Sequence, residues 1–225
     1  MYEVENRVPN FDLYPVKTMN DIKANVGVDE IVKTIKNQIN KDNYIICFDY
    51  YYGINEKVIK DIIEMLNPTS LFDSNFAKYS EDIVQEKFGT FITEDRVNGV
   101  FSIAKIIDYF DQKKIQELRN KIKESKGLTI LYGVGASLIT RGDLLVYGSI
   151  SYQTIKDRFQ NGLTNWGANN PEEEYLRKEK RFNFLESRVL DKHKRKMLKE
   201  CDFIIDCNKD NQVSIILREL YDVNS

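Results

Sequence analysis

Histidine and cysteine are scarce in this chain, and that scarcity excludes several classes of protein. His193 is the sole imidazole among 225 residues, and Cys47, Cys201 and Cys207 are the only thiols. Their spacing matches no zinc motif, so a His/Cys metal site is excluded. An odd number of dispersed cysteines points to reduced thiols in the cytoplasm rather than a disulfide framework. Long hydrophobic runs are absent too: none approaches the ~20 residues a bilayer-spanning helix needs. The acidic start, Met1-Tyr2-Glu3-Val4-Glu5, lacks the apolar stretch of a secretory signal. A basic excess is also missing. The 33 basic and 35 acidic side chains leave a net charge of -2, which argues against general nucleic-acid binding. No Pro/Gly/Ser linker and no internal repeat divides the chain. Its length suits one large domain that buries its core without disulfides or metal. A single domain over 1–225 is expected, with residues 1–20 wrapping its edge.

What is present is an alternation of short apolar runs with helical periodicity. Val28, Ile31, Val32, Ile35 and Ile39 recur at three and four and predict a helix. Tyr44–Phe48 is a continuous apolar run, the mark of a strand covered on both faces. Glu56–Leu66 returns to helical spacing and stops before Pro68. Ser70–Phe72 and, more weakly, Asn98–Phe101 read as strands, and Ile103–Lys126 as a helix closed by Gly127. Strands follow at Leu128 and Leu144, then a helix over Tyr152–Gln160. A long polar helix is expected from Pro171, with Glu172, Glu173 and Glu174 on its positive end, to Glu200. A strand at Phe203–Asp206 and a short element through Ile215 and Leu220 close the chain. Strands alternating with helices imply βαβ units and a mostly parallel sheet.

In such a sheet ligands bind beyond the carboxyl ends of the strands. Three segments converge there. The first, Phe48-Asp49-Tyr50-Tyr51-Tyr52-Gly53-Ile54-Asn55-Glu56-Lys57-Val58, leaves a buried strand and enters a helix, the setting of a phosphate-binding loop. A working loop reads Gly-x-x-x-x-Gly-Lys-Ser/Thr, because glycine lets backbone N–H groups crowd a phosphate. Here only Gly53 survives, Glu56 replaces the second glycine, and Val58 replaces the magnesium-holding hydroxyl. Gly53, Asn55 and Lys57 are candidate phosphate ligands of a degenerate loop; a tyrosine-rich turn with a solvated lysine fits the same residues.

The second segment is Gly133-Val134-Gly135-Ala136-Ser137. Gly133 and Gly135 allow the backbone to approach a ligand or a neighbouring loop. Ser137 lacks the Gly-x-Ser-x-Gly elbow, and His193 lies in a lysine-rich run that reads as surface, so a hydrolase triad is not expected. The third segment is basic: Arg158, then Arg177, Lys180, Arg181 and Arg188 near one helical face. Guanidinium groups grip phosphate in a bidentate fork, whereas the interleaved Glu179 and Glu186 fit a salt-bridged solvent face. Asp73, after the strand at Leu71, stands where a kinase places the base that orients a hydroxyl, and equally suits an exposed loop. Trp166, among Asn165, Gly167 and Asn169, reads as a flap residue that packs or stacks on a ligand.

The order of these parts resembles P-loop small-molecule kinases of the uridine-kinase type. A closer resemblance rests on Tyr132-Gly133-Val134-Gly135-Ala136-Ser137, Val146-Tyr147, Arg158-Phe159-x-x-Gly162, Asn165-Trp166, Leu176-Arg177-Lys178-x-Lys180-Arg181 and Glu186-x-Arg188-x-x-Asp191-Lys192. With Tyr14-Pro15 and Thr93-Glu94-Asp95-Arg96-Val97-x-Gly99, these are similar to the amino-terminal extension of long bacterial class I mannose-6-phosphate isomerases. The chain departs from that pattern at Tyr152-Gln153-Thr154, where the family tends to Arg-Trp-Glu, and at Ser187, where it tends to Trp. The resemblance implies a bacterial protein of carbohydrate metabolism. The zinc chemistry of those isomerases belongs to cupin-type domains that follow the extension, and one histidine cannot supply it.

The expected fold is a three-layer α/β sandwich of P-loop nucleoside-kinase type, with a basic helical lid over about 151–200. The expected function is a degenerate, kinase-like module that binds a nucleotide, with magnesium, or a sugar phosphate, and serves a mannose-6-phosphate isomerase. Two alternatives stand beside it. One is an active ATP-dependent kinase of a nucleoside or sugar, with Lys57 on the phosphates and Asp73 as base. The other is a structural module that dimerises. The expected partners are a small phosphorylated ligand and an isomerase catalytic domain or a second copy, with neither nucleic acid nor membrane.

Overall fold

The computed structural model describes residues 24–95 and 97–222. The arm expected over 1–20 and Arg96 lie outside the described residues. Within them seven strands form one sheet: β1 (Asn25–Val26), β2 (Tyr44–Tyr50), β3 (Ser70–Asp73), β4 (Leu128–Gly133), β5 (Leu144–Ser149), β6 (Phe203–Asp206) and β7 (Ser214–Leu217). The order across the sheet is β1-β7-β6-β5-β2-β4-β3. The five strands β6, β5, β2, β4 and β3 run parallel, and β7 and β1 join one edge antiparallel. The runs at Ile46, Leu131 and Val146 are neighbours, with Cys47 paired to both Leu131 and Leu145. The chain is therefore an α/β sandwich on a mostly parallel sheet.

The helices are α1 (Val28–Lys36), α2 (Glu56–Leu66), α3 (Glu81–Phe88), α4 (Gln112–Glu124), α5 (Tyr152–Gln160), α6 (Tyr175–Arg181), α7 (Ser187–Glu200) and α8 (Arg218–Asp222). Right-handed crossovers place α2 on one face and α4 on the other, because the chain steps outward from β2 to β3 and back from β3 to β4. Strand β2 is consequently covered on both sides: Ile46 and Cys47 are fully buried and Phe48 nearly so. α2 turns Ile59, Ile62, Ile63 and Leu66 inward at the three–four spacing that predicts it. Its amino end is capped by Asn55, whose side chain accepts from the Lys57 N–H, and it stops at Asn67 in the left-handed conformation.

Several boundaries differ from the sequence reading. The helix expected from Ile103 begins only at Gln112, because Asp111 accepts from the N–H groups of Lys113 and Lys114 and sets the start there. Asn98–Phe101 is extended but joins no strand of the sheet. The helix expected from Pro171 starts at Tyr175. It continues through a π-helical turn, Phe182–Glu186, into α7. That extra residue in the turn shifts which side chains face inward, so a regular helical wheel misassigns the basic set. Two elements carry no periodic signal, the eight-residue α3 and the two-residue β1.

Candidate functional site

Strand β2 sends the chain through α2 toward the β3 edge, whereas β5 sends it toward the β6 edge. Divergence of adjacent strands opens a crevice at their carboxyl ends. Two clefts lie there. The larger, about 440 Å³, is lined by Tyr52 and Glu56 after β2, Asn75 and Lys78 after β3, and Val134 after β4. The Thr164–Asn169 loop closes its far wall. The second, about 380 Å³, lies between the Gly53–Asn55 turn, the α5 end at Arg158 and Gly162, and Asp210.

The polar groups of the Gly53–Asn55 turn are answered from within the protein. The Arg158 guanidinium donates to the Gly53 carbonyl at 2.5 Å and to Asp210 at 2.7 Å. Asp210 also accepts from the Asn55 amide at 2.8 Å. The amino end of α2 thus faces an internal carboxylate where a phosphate loop would meet its ligand. Lys57 points away: its side chain is 77% exposed and pairs with Asp61 at 2.9 Å. The hydrogen bond and charge of Asp61 hold its ammonium above the ordinary lysine range. Val58 is buried in the core and offers no hydroxyl to a magnesium ion.

The basic helical segment is used in the same way. Lys178 is 1% exposed and donates to the carbonyls of Leu163 and Pro171. Lys180 binds the carbonyls of Thr93 and Asp95. Arg181 donates to Glu186 at 3.0 Å and to Gln85 at 3.1 Å. Glu186 is fully buried and also accepts from Asn165 at 2.9 Å. Burial raises the Glu186 pKa, while Arg181 and Asn165 pull it back. Arg177 and Arg188 are exposed, and Arg188 lies over the Phe101 ring at 4.5 Å. The structure does not bring these cations together around one anion. Trp166 is 2% exposed and stacks on Tyr109 with centroids 4.6 Å apart, which makes it a packing residue.

Gly133 and Gly135 shape the β4 end. Gly133 has φ +127, and a Cβ there would lie 2.1 Å from Ser74 Oγ. At Gly135, φ +74, it would meet the Phe110 ring at 2.9 Å. Both glycines serve close packing of neighbouring loops. The turn they form also organises an unforeseen polar cluster. Asp49, fully buried on β2, accepts from the N–H groups of Gly135 and Ser137 at 3.0 Å each. Its Oδ2 also accepts from Ser137 Oγ at 2.5 Å and lies 2.7 Å from His193 Nε2. His193 is 5% exposed and so is not a surface residue; helical periodicity turns it inward from between its lysine neighbours. The carboxylate stands between serine and imidazole, so this is not the order of a nucleophilic triad. It pins α7 and the glycine turn to the central strand. Asp73, the candidate base, accepts from the Asn75 N–H at 2.8 Å and caps the short 3₁₀ turn Ser74–Ala77.

What distinguishes the larger cleft is Lys78. Its ammonium lies 5.7 Å from the Trp166 ring, and it has no hydrogen-bond or ion-pair partner among the described residues. Desolvation holds it below the ordinary lysine range, against the pull of Glu186, Glu56 and Asp73. The Trp166 Nε1–H, in the same wall, is a buried donor without a partner among the described residues. Nothing in the sequence marks Lys78, since lysines outside motifs are mostly solvated. Its role emerges only from the walls around it. None of Lys57, Asp73, Gly133 or Arg158 lines this cleft, although all four stand at the carboxyl edge of the sheet.

No curated protein matches the chain. A family profile does match, over residues 27–222. On that match, which spans most of its length, the chain belongs to the family described as "Domain of unknown function (DUF8485)".

Proposed function

We propose that this protein is a degenerate relative of P-loop small-molecule kinases that binds a small phosphorylated ligand and does not transfer the phosphoryl group. The observation that carries the reading is the half-buried Lys78 ammonium, without a hydrogen-bond or ion-pair partner among the described residues, in a 440 Å³ cleft at the carboxyl edge of the parallel sheet. A partly desolvated ammonium whose nearby carboxylates, Glu186, Glu56 and Asp73, make no direct contact with it is costly, and an incoming oxyanion supplies that contact. The cleft has the size of a small-molecule site and the position where open α/β sheets hold ligands.

Loss of transfer follows from the loop. Phosphoryl transfer relies on a phosphate cradle, a lysine and a magnesium anchor acting together. Here Asp210 holds the Asn55 and Arg158 donors, Lys57 is paired outward, and Val58 is apolar. Each ~1.4 kcal/mol of lost transition-state stabilisation slows a reaction about tenfold, so the combined losses suppress turnover. Service to a mannose-6-phosphate isomerase is supported by the Tyr132–Lys192 resemblance.

The test has two arms. Thermal shift with a panel of phosphorylated compounds is expected to show stabilisation that disappears in Lys78→Met and persists in Lys57→Ala. A coupled ADP-release assay with magnesium-ATP, nucleosides and hexoses is expected to stay at background. Robust turnover lost in Lys57→Ala would instead establish the active kinase.

A further inference from the structure

The larger cleft holds one cation and two carboxylates. Lys78 faces it from the β3 side, Glu56 from the first residue of α2, and Glu81 from the first residue of α3. The other polar groups of the lining are neutral, among them Asn75, Ser80, Thr164, Asn165 and Asn169. We infer that the cleft selects a phosphomonoester of a hydroxyl-rich compound and rejects polyphosphates, with Glu56 and Glu81 as the specificity-determining residues. This rests on the reading of the cleft as a phosphate site.

Charge supplies the first argument. A single phosphate group matches a single ammonium, as in the charge-assisted contacts that hold phosphates elsewhere. A di- or triphosphate brings further negative charge into the same cleft, where the only other ionised groups among the described residues lining it are carboxylates. Like charges brought close together repel, and no second cation among the described residues lines the cleft to offset them. Glu56 is held at that wall by its place in the helix. Its carboxylate lies 3.6 Å from Lys60, its i+4 neighbour, a weak exposed pairing.

The second argument is what the carboxylates offer in return. A carboxylate accepts hydrogen bonds and donates none, so Glu56 and Glu81 match hydroxyl groups of a polyol. The side-chain amides of Asn75 and Asn169 add donors and acceptors of the same kind. The third is the absence of a base platform. Trp166 is 2% exposed and stacked on Tyr109. The Tyr79 ring carries the Lys87 ammonium at 4.2 Å. Tyr52 is tied to the Thr164 carbonyl through its hydroxyl at 2.8 Å. Buried and stacked, the indole, the largest ring of the lining, has no open face on which a nucleobase could stack.

The experiment is isothermal titration of the full chain with inorganic phosphate, glycerol 3-phosphate and glucose 6-phosphate on one side. Inorganic tripolyphosphate and ATP, both without magnesium, form the other side. The wild type is expected to bind at least one monophosphate about tenfold or more tighter than either polyphosphate, and glucose 6-phosphate tighter than inorganic phosphate. Glu56→Gln and Glu81→Gln, singly and together, are expected to narrow the gap toward polyphosphate. Both sites are on first helical turns, and circular dichroism with urea unfolding verifies the fold of each variant. Polyphosphates bound as tightly as monophosphates by the wild type, with the binding lost in Lys78→Met, would overturn the selection while leaving the phosphate site standing. So would a preference unchanged in the double Gln variant. Absence of all binding would overturn both the selection and the phosphate site.

Discussion

Lys78 and Arg181 show how differently two cations behave once their surroundings are known. Lys78 has no hydrogen-bond or ion-pair partner among the described residues and is partly desolvated, which holds its pKa below the ordinary lysine range. The sign of the consequence is definite. Below the depressed value the ammonium is charged and its burial costs stability; above the ordinary lysine range both folded and unfolded chains carry a neutral amine and that cost vanishes. Anion binding runs the other way, because only the protonated form attracts phosphate. Affinity for a phosphate probe is expected to fall as pH rises through the depressed value, earlier than for an ordinary lysine. Binding in that window should take up protons, which titration in buffers of different ionisation enthalpy measures. Lys78→Met is expected to abolish the phosphate-induced thermal shift while leaving the ligand-free protein at least as stable, a trade of stability for function common at binding sites. Arg181 is paired with the fully buried Glu186. Arg181→Leu leaves a buried, uncompensated carboxylate and is expected to cost about 3–5 kcal/mol in urea unfolding. Adding Glu186→Leu should recover most of that loss. A ligand-binding arginine would behave otherwise, losing affinity with little change in stability.

At the scale of elements, the basic segment is tied down at several points. α6 delivers Lys178 and Lys180 to loop carbonyls, and the π turn that follows places Glu186 against Arg181 and Asn165. Lys180 holds the Thr93 and Asp95 carbonyls of the loop after α3. Lys180→Met is expected to accelerate amide exchange over residues 93–98 with little effect on β2, β4 and β5, read by hydrogen exchange with mass spectrometry. The glycine turn after β4 is equally constrained. Gly133→Ala must place a Cβ 2.1 Å from Ser74 Oγ at φ +127. A loss of about 1–3 kcal/mol from backbone strain alone is expected in denaturant unfolding. Because Ser74 Oγ donates to the Val134 carbonyl at 3.0 Å, the same change should disturb the Val134 wall of the cleft.

For the molecule as a whole, the parallel core is the stable unit and the carboxyl edge is where side chains are free to serve a ligand. β2, β4 and β5 hold fully buried Ile46, Cys47, Ile130, Leu131 and Val146 between two helical layers. The β1–β7 edge is short and exposed, with Val26 at 57% and Leu217 at 47%. Native-state hydrogen exchange is therefore expected to find the slowest amides in β2, β4 and β5 and much faster ones in β1 and β7. Uniform protection across the sheet would contradict this ordering.

The parallel sheet was legible in the apolar runs, because a strand buried on both faces must be continuous in Val, Ile, Leu and aromatic residues. Helices α1, α2 and α5 were legible in their spacing and caps, since those signals act over neighbouring residues. The Glu56 and Val58 departures from a working phosphate-loop pattern were legible for the same local reason. Tertiary structure alone decided the site. Whether a lysine is a ligand group or a staple depends on which carbonyls and carboxylates the fold brings to it from 7 to 87 positions away, as for Lys178 and Lys180. Lys180 and Arg181 read as phosphate cations but are spent on Thr93, Asp95 and Glu186. His193 read as surface but meets Asp49 across 144 positions. Lys78, unremarkable in sequence, is half-buried in the cleft without a hydrogen-bond or ion-pair partner among the described residues, because β2, β3 and β4 end around it. Charge and hydrogen-bond satisfaction are properties of a surrounding in space, and the order of residues along a chain does not contain them.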